Sequence, residues 1–182
     1  MSADHPKGVF PRVLGQAFAA LPAAVRAAHG GETVVTLRGR ARARGAGGPA
    51  ALIRRLHGLP APGLHPATVS ITPLGDGGEA WTRRFDGRPI ASRLRLAGDD
   101  PSAFEETLGV LTFRFRARLL GDGFFWRFTG WRLGRLPLPA AWAPRTRARI
   151  FERDGGYRFR VLVAHPWLGV IFGYAGRLEG PL

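Results

Sequence analysis

A mainly antiparallel β-sheet, strongly curved or closed into a barrel and joined by one or two helices, is the α+β fold this sequence predicts. Two observations carry the prediction. Apolar and charged residues alternate through most of the chain, as in Val35, Leu37, Ala41 and Ala43 against Arg38, Arg40, Arg42 and Arg44. Successive strand side chains point to opposite faces, so each such segment has one apolar and one cationic face. Turn-forming groups recur between these segments, among them Asp86-Gly87, Gly121-Asp122-Gly123 and Asp154-Gly155-Gly156. These are hairpin signals, and their regular spacing suits an all-antiparallel arrangement.

The elements follow in order. In residues 11–29 the spacing of Val13, Leu14, Ala17, Phe18 and Leu21 is helical, with Pro22 breaking or restarting the helix and Gly30-Gly31 ending it. A first strand is expected within 32–44. Residues 49–60 then read as a short helix, with Pro49 near its start and Gly58 at its end. Further strands are expected at 67–74, 79–85, 88–97, 110–120, 124–133, 145–153, 157–164 and 168–179. Asp99-Asp100-Pro101-Ser102, followed by Glu105-Glu106, has the local chemistry of a helix start. Eight or nine strands with two helices suggest a lipocalin-like or helix-grip-like shape.

Composition bounds the remaining possibilities. With 45% hydrophobic residues, 12 Phe and 5 Trp, the chain can build a core and is not expected to be disordered. Its 182 residues fit a single domain spanning 1–182, with 1–10 as a flexible N-terminal tail. No apolar run approaches the ~20 residues of a transmembrane helix, and MSADHPKGVF has no secretory pattern. Cysteine is absent, so disulfides and thiolate metal sites are excluded. A cytoplasmic protein is expected. The net charge of +14 raises anionic partners. Lys7 is the only lysine. Codon bias in a GC-rich genome accounts for the choice of arginine but not for the excess of cations.

The segments PRVLGQAFAALPAAVRAAHG, GGEAWTRRFDGRPIASR, LGRLPLPAAWAPR, RDGGYRFRV and HPWLGVIFGYAGRL, in this order and spacing, resemble the bacterial domain-of-unknown-function family 4166. The resemblance runs from about Phe10 to Leu178 and implies an extended conformation for 99–106. It also implies association with oxidoreductases resembling saccharopine dehydrogenase, behind which such domains are often fused. No G-x-G-x-x-G loop stands between a strand and a helix here, so the nucleotide-binding half of such an enzyme is not in this sequence. The implied role is an accessory, ligand-holding module beside a reductase that acts on an apolar substrate.

Arg38, Arg40, Arg42, Arg114, Arg116 and Arg118 could meet phosphates of a nucleic acid or an anionic membrane, or could simply be solvated strand faces. Phe113 and Phe115 fall opposite the arginines, which disfavours a stacking platform for bases. Arg83 breaks the two-face pattern, because alternation puts it with Trp81 and Phe85. It would hold the anionic head group of an apolar or fatty-acyl-like ligand, reach water at an edge, or pair with an acid such as Glu79. The ligand reading lines a cavity with Trp81, Phe85, Trp126, Phe128, Phe159, Phe172 and Tyr174; the same aromatics could equally be solid core. His29 and His57 are expected as helix-end caps, His29 as a protonated one, and His165 as a pocket-rim residue. No histidine pair has metal-ligand spacing, no cofactor motif occurs, and Ser70, Ser92 and Ser102 lack a nucleophile context. The expectation is a non-catalytic module.

Overall fold

The structure, a computed structural model, describes residues 8–180. Among these residues are three α-helices, α1 (Val9–Leu14), α2 (Ala23–His29) and α3 (Gly48–Leu56). The strands are β1 (Val35–Arg44), β2 (Gly63–Pro73), β3 (Glu79–Phe85), β4 (Arg88–Ala97), β5 (Asp100–Leu108), β6 (Leu111–Leu120), β7 (Gly123–Leu133), β8 (Leu136–Pro137), β9 (Arg145–Arg153), β10 (Gly156–His165) and β11 (Gly169–Glu179). Ten of them form one antiparallel barrel. Sequential neighbours pair from β1 to β7, then β7 joins β9, and β9, β10 and β11 lead back to β1. The two-residue β8 pairs only with the end of β7.

The alternating sequence pattern dictates this wall. Leu37, Ala41 and Ala43 point inward while Arg38, Arg40, Arg42 and Arg44 are exposed. Sliding β1 by one residue would put its arginines inside, so the register is strongly specified. Asp86 and Gly87, and likewise Asp154 and Gly155, have the two positive φ values of a tight hairpin turn. Ring closure between β7 and β9 relies on Gly123, where a Cβ would collide with the Ile150 carbonyl. That pairing is short. It joins Gly123–Arg127 to Arg147–Phe151, after which β7 leaves β9 and turns to β8.

One end of the barrel is closed by the N-terminal segment. Val9 and Phe10 are fully buried, and Phe10 lies among the rings of His29, Trp81, Phe104, Phe124 and Trp126, at centroid distances of 4.9–6.1 Å. Of the expected tail, residues 1–7 fall outside the described residues, while Val9 and Phe10 are core. The Val9 N–H donates to Glu79 Oε1 at 2.8 Å, and the Trp81 indole N–H donates to Glu79 Oε2 at 2.8 Å. The Ala24 N–H donates to Glu152 at 2.9 Å, fixing α2 on β9. At the other end α3 is held by buried Arg54, whose Nη1 donates to the Ile171 carbonyl at 2.7 Å.

Two expectations are corrected and one open alternative is decided. The stretch 11–29 is not one helix interrupted at Pro22: Gly15, at φ 56, ends α1, and a 3₁₀ segment follows over Gly15–Ala20. The residues with helix-start chemistry form β5, as the family resemblance implies, because pairing with β4 and β6 outweighs the local signal. His29 is not a protonated cap. It is fully buried, bonded through Nε2 to the Tyr157 hydroxyl at 3.0 Å, and burial lowers its pKa to about 3.

Candidate functional site

The interior is not filled throughout. Between the aromatic plug and the end bearing α3 lies a cavity of about 670 Å³. Its deep wall includes Trp81, Trp126 and Tyr157, and its outer part is formed by Ile53 and His57 of α3, Pro89, Val110 and Pro144. His57, Pro89 and Val110 are exposed, so the cavity opens at this end. The mouth is thus surrounded by the β1–β2 connection with α3, the β3–β4 and β5–β6 turns, the β7–β9 connection and the β10–β11 turn.

Six of the eight residues expected around a ligand line this space: Trp81, Arg83, Trp126, Phe159, Phe172 and Tyr174. Phe85 and Phe128 do not. Phe85 is covered by Phe172 and Tyr174, which meet it edge-on at 6.4 and 5.2 Å. Phe128 stands at a register shift between β6 and β7 and packs against Phe115 at 6.2 Å. His165 caps the end of β10 against Trp167, away from the lining.

Arg83 is the polar centre of the cavity wall. Its β3 position places it on the inner face, with its guanidinium 4.8 Å from the Trp81 ring centroid. Nη1 donates to Ser92 Oγ at 2.9 Å and Nη2 to Glu106 Oε1 at 2.8 Å, while the Ser92 hydroxyl donates to the same carboxylate oxygen at 2.7 Å. Of the expected roles, an edge position is excluded, and the acid partner is Glu106 and not Glu79. Burial works against the Arg83 cation, but the adjacent Glu106 carboxylate leaves its pKa above the ordinary value. Two Nη bonds occupy only part of a guanidinium's five N–H donors. Near it, burial raises the pKa of the Tyr174 phenol, leaving a neutral hydroxyl on the lining.

Sequence reasoning missed the Glu106 and Ser92 partners. Glu106 lies 23 residues from Arg83 and faces it only through the register of β3, β4 and β5. It did leave one signal: Phe104 and Glu106 share a strand face, which makes Glu106 an acid on an apolar side.

The arginine ladders do not form one strip. β1 and β6 lie on opposite sides of the ten-stranded ring. Arg114 and Arg116 are paired with Asp99 and Asp100 at 2.9 and 2.7 Å, whereas Arg38, Arg40, Arg42 and Arg118 make no ion pair among the described residues. A different cluster exists on the outer wall, where Arg40 of β1 is directly opposite Arg177 of β11, itself opposite Arg158 of β10.

These features define a small antiparallel β-barrel with an internal apolar cavity and a buried, internally paired ionic cluster on its wall. Residues 21–178 match the family described as Domain of unknown function (DUF4166), and the chain belongs to that family. No curated protein matches the chain in a sequence comparison. Among the described residues no group of His, Cys, Asp and Glu could hold a metal ion, and no helix is long and apolar enough to cross a membrane.

Proposed function

We propose that the barrel holds one apolar small molecule, of fatty-acyl or isoprenoid type, without transforming it. The supporting observation is the cavity of about 670 Å³ with its largely apolar lining, which falls within the ~300–1,000 Å³ common for small-molecule sites. Arg83 marks the polar end of the ligand. Glu106 already offsets its charge, and a free carboxylate would have to approach that second carboxylate. An uncharged oxygen, in an alcohol, ester or ketone, avoids the repulsion and can still accept from Arg83. The head group is therefore neutral, a refinement of the anionic one expected from sequence.

Native mass spectrometry of gently purified protein, with fluorescence titration against a long-chain alcohol and the matching fatty acid, tests this. Trp81 and Trp126 line the cavity and report occupancy. Retained ligand, or alcohol binding tighter than acid, is expected; no retained molecule and no binding would overturn the proposal. In this reading the partner is an oxidoreductase acting on the same molecule, as the family resemblance implies.

A second reading, nucleic-acid binding along the outer wall, is favoured by the facing arginines Arg40, Arg177 and Arg158. Like charges directly opposite on neighbouring strands are unfavourable without a counter-ion. Glu179 and Asp154 stand nearby, at 3.8 Å from Arg177 and 3.5 Å from Arg158. Binding of single-stranded DNA that weakens steeply with salt would support this reading, and negligible binding at low salt would end it.

A further inference from the structure

The acids of the strand connections are gathered at one end of the barrel, which neither closing the sheet nor enclosing a cavity requires, and there they offset arginines that include the exposed Arg12, Arg26 and Arg153. Each hairpin turn at the closed end contains an aspartate: Asp76, Asp99, Asp122 and Asp154. Each sits beside a wall arginine, respectively Arg93, Arg114, Arg149 and Arg158. At the mouth the connections and adjoining strand ends expose Arg44, Arg55, Arg84, Arg88, Arg135 and Arg145. Asp86 is the one acid in those connections, and it is hydrogen-bonded to His65.

Apolar exposure is heavier at the mouth, although Val34, Leu119 and Leu120 are exposed at the closed end. Leu52 and Leu56 project from α3 at 58% and 75% exposure, Trp167 from the β10–β11 turn at 77%, Trp142 from the β7–β9 connection and Val110 from the β5–β6 turn. They surround an opening instead of forming one flat patch. The β10–β11 turn adjoins α3's connection through the Ala46 N–H to Val170 carbonyl bond of 2.7 Å. Gly8 and Gly180, where the described chain begins and ends, both lie at the closed end.

We infer that the mouth docks on the surface of an anionic lipid bilayer, with Leu52, Leu56 and Trp167 inserted among the headgroups and the surrounding arginines on the lipid phosphates. Leucine and tryptophan interleaved with arginine is the chemistry of an interfacial membrane contact. A nucleic acid has no use for exposed leucines around an opening, and a folded protein partner would favour one continuous apolar patch. Docked in this way, the cavity faces the bilayer, and an apolar molecule passes between them without crossing water. That last step rests on the ligand-holding proposal; the docking itself does not.

The test is co-sedimentation of the full chain with vesicles of equal phosphatidylglycerol and phosphatidylcholine, against pure phosphatidylcholine, with no ligand added. Binding to the anionic vesicles is expected, and Leu56→Glu with Trp167→Glu should weaken it by about tenfold or more. Arg55→Glu with Arg88→Glu should weaken it and flatten its salt dependence. Arg38→Glu with Arg40→Glu, on the side wall and four or more residues from Arg44 along β1, should leave it within about twofold, since exposed charges beyond a Debye length are screened. All sites are exposed, and thermal melts confirm folding of each variant. No binding, equal binding to both vesicles, or loss through the wall variant with the mouth variants unaffected would overturn the inference. Failure here counts against docking alone, whereas failure of mass spectrometry and titration counts against the cavity reading alone.

Discussion

At the closed end the core is filled and the turn aspartates are paired within the chain, although His29 Nδ1 and Trp126 Nε1 are buried without a partner among the described residues. Phe10 fills the barrel, Glu79 ties the Val9 backbone to Trp81, and turn aspartates stand beside wall arginines. At the mouth the same chain leaves leucines, tryptophans and arginines facing outward around an opening. A protein needs only the first kind of end to fold. Retaining the second exposes apolar area that burial would have favoured, and it is this area that the docking inference assigns to a lipid surface.

Substitutions should separate the two ends sharply. Phe10→Ala removes a fully buried ring and should cost about 4 kcal/mol in denaturant unfolding; a loss below ~1 kcal/mol would show that the plug is not core. Between the ends, Arg83→Met alone should cost about 3 kcal/mol by leaving Glu106 buried and unpaired, whereas Arg83→Met with Glu106→Leu should recover most of it. Equal losses in the single and double variants would refute the coupling.

The pH response belongs to the closed end. Burial lowers the His29 pKa from 6.5 to about 3, so the unfolded chain binds its proton first, and stability falls as pH drops through that window. In the protonated ring Nδ1 must also carry a proton, and it has no partner among the described residues. Glu79 acts in the opposite sense. Burial raises its pKa above 4.5, so its contribution is present at low pH and is lost as pH rises through the raised value. Below pH 4.5 the His29 slope is no longer opposed by Glu79, and His29→Gln should remove about 1.4 kcal/mol per pH unit of acid sensitivity between pH 4.5 and 3. Identical slopes in variant and parent would count against this assignment. The smallest effect is expected at the mouth, where Leu56→Ala should change stability by no more than ~0.5 kcal/mol; a larger loss would mean that Leu56 packs on something.

Much of this architecture was legible because strand periodicity is local. The Arg38 to Arg44 ladder, the Asp86-Gly87 turn and the anomaly of Arg83 could each be read within a few residues. What failed depended on distant partners. Eight or nine strands are expected where eleven occur among the described residues, since β5 carries helix-start chemistry and β8 is two residues long. His29 looked like a cap because its helix was visible, but the Tyr157 that receives it lies 128 residues away. Six of eight proposed lining residues reach the cavity, and the other two miss it for reasons of packing and register that alternation alone does not encode.

The brief contact between β7 and β9 has a consequence for what can pass the mouth. Their ladder ends at Arg127 and Arg147, so nothing stitches the outer lengths of these strands to each other. Elsewhere the wall can widen only by unzipping paired backbone, at the expense of buried hydrogen bonds. Here it can spread like a split collar, with Pro144 and Thr146 on one lip of the gap also lining the cavity. Under the ligand-holding proposal, the calibre of an admitted molecule is then set by the cavity, not by its doorway.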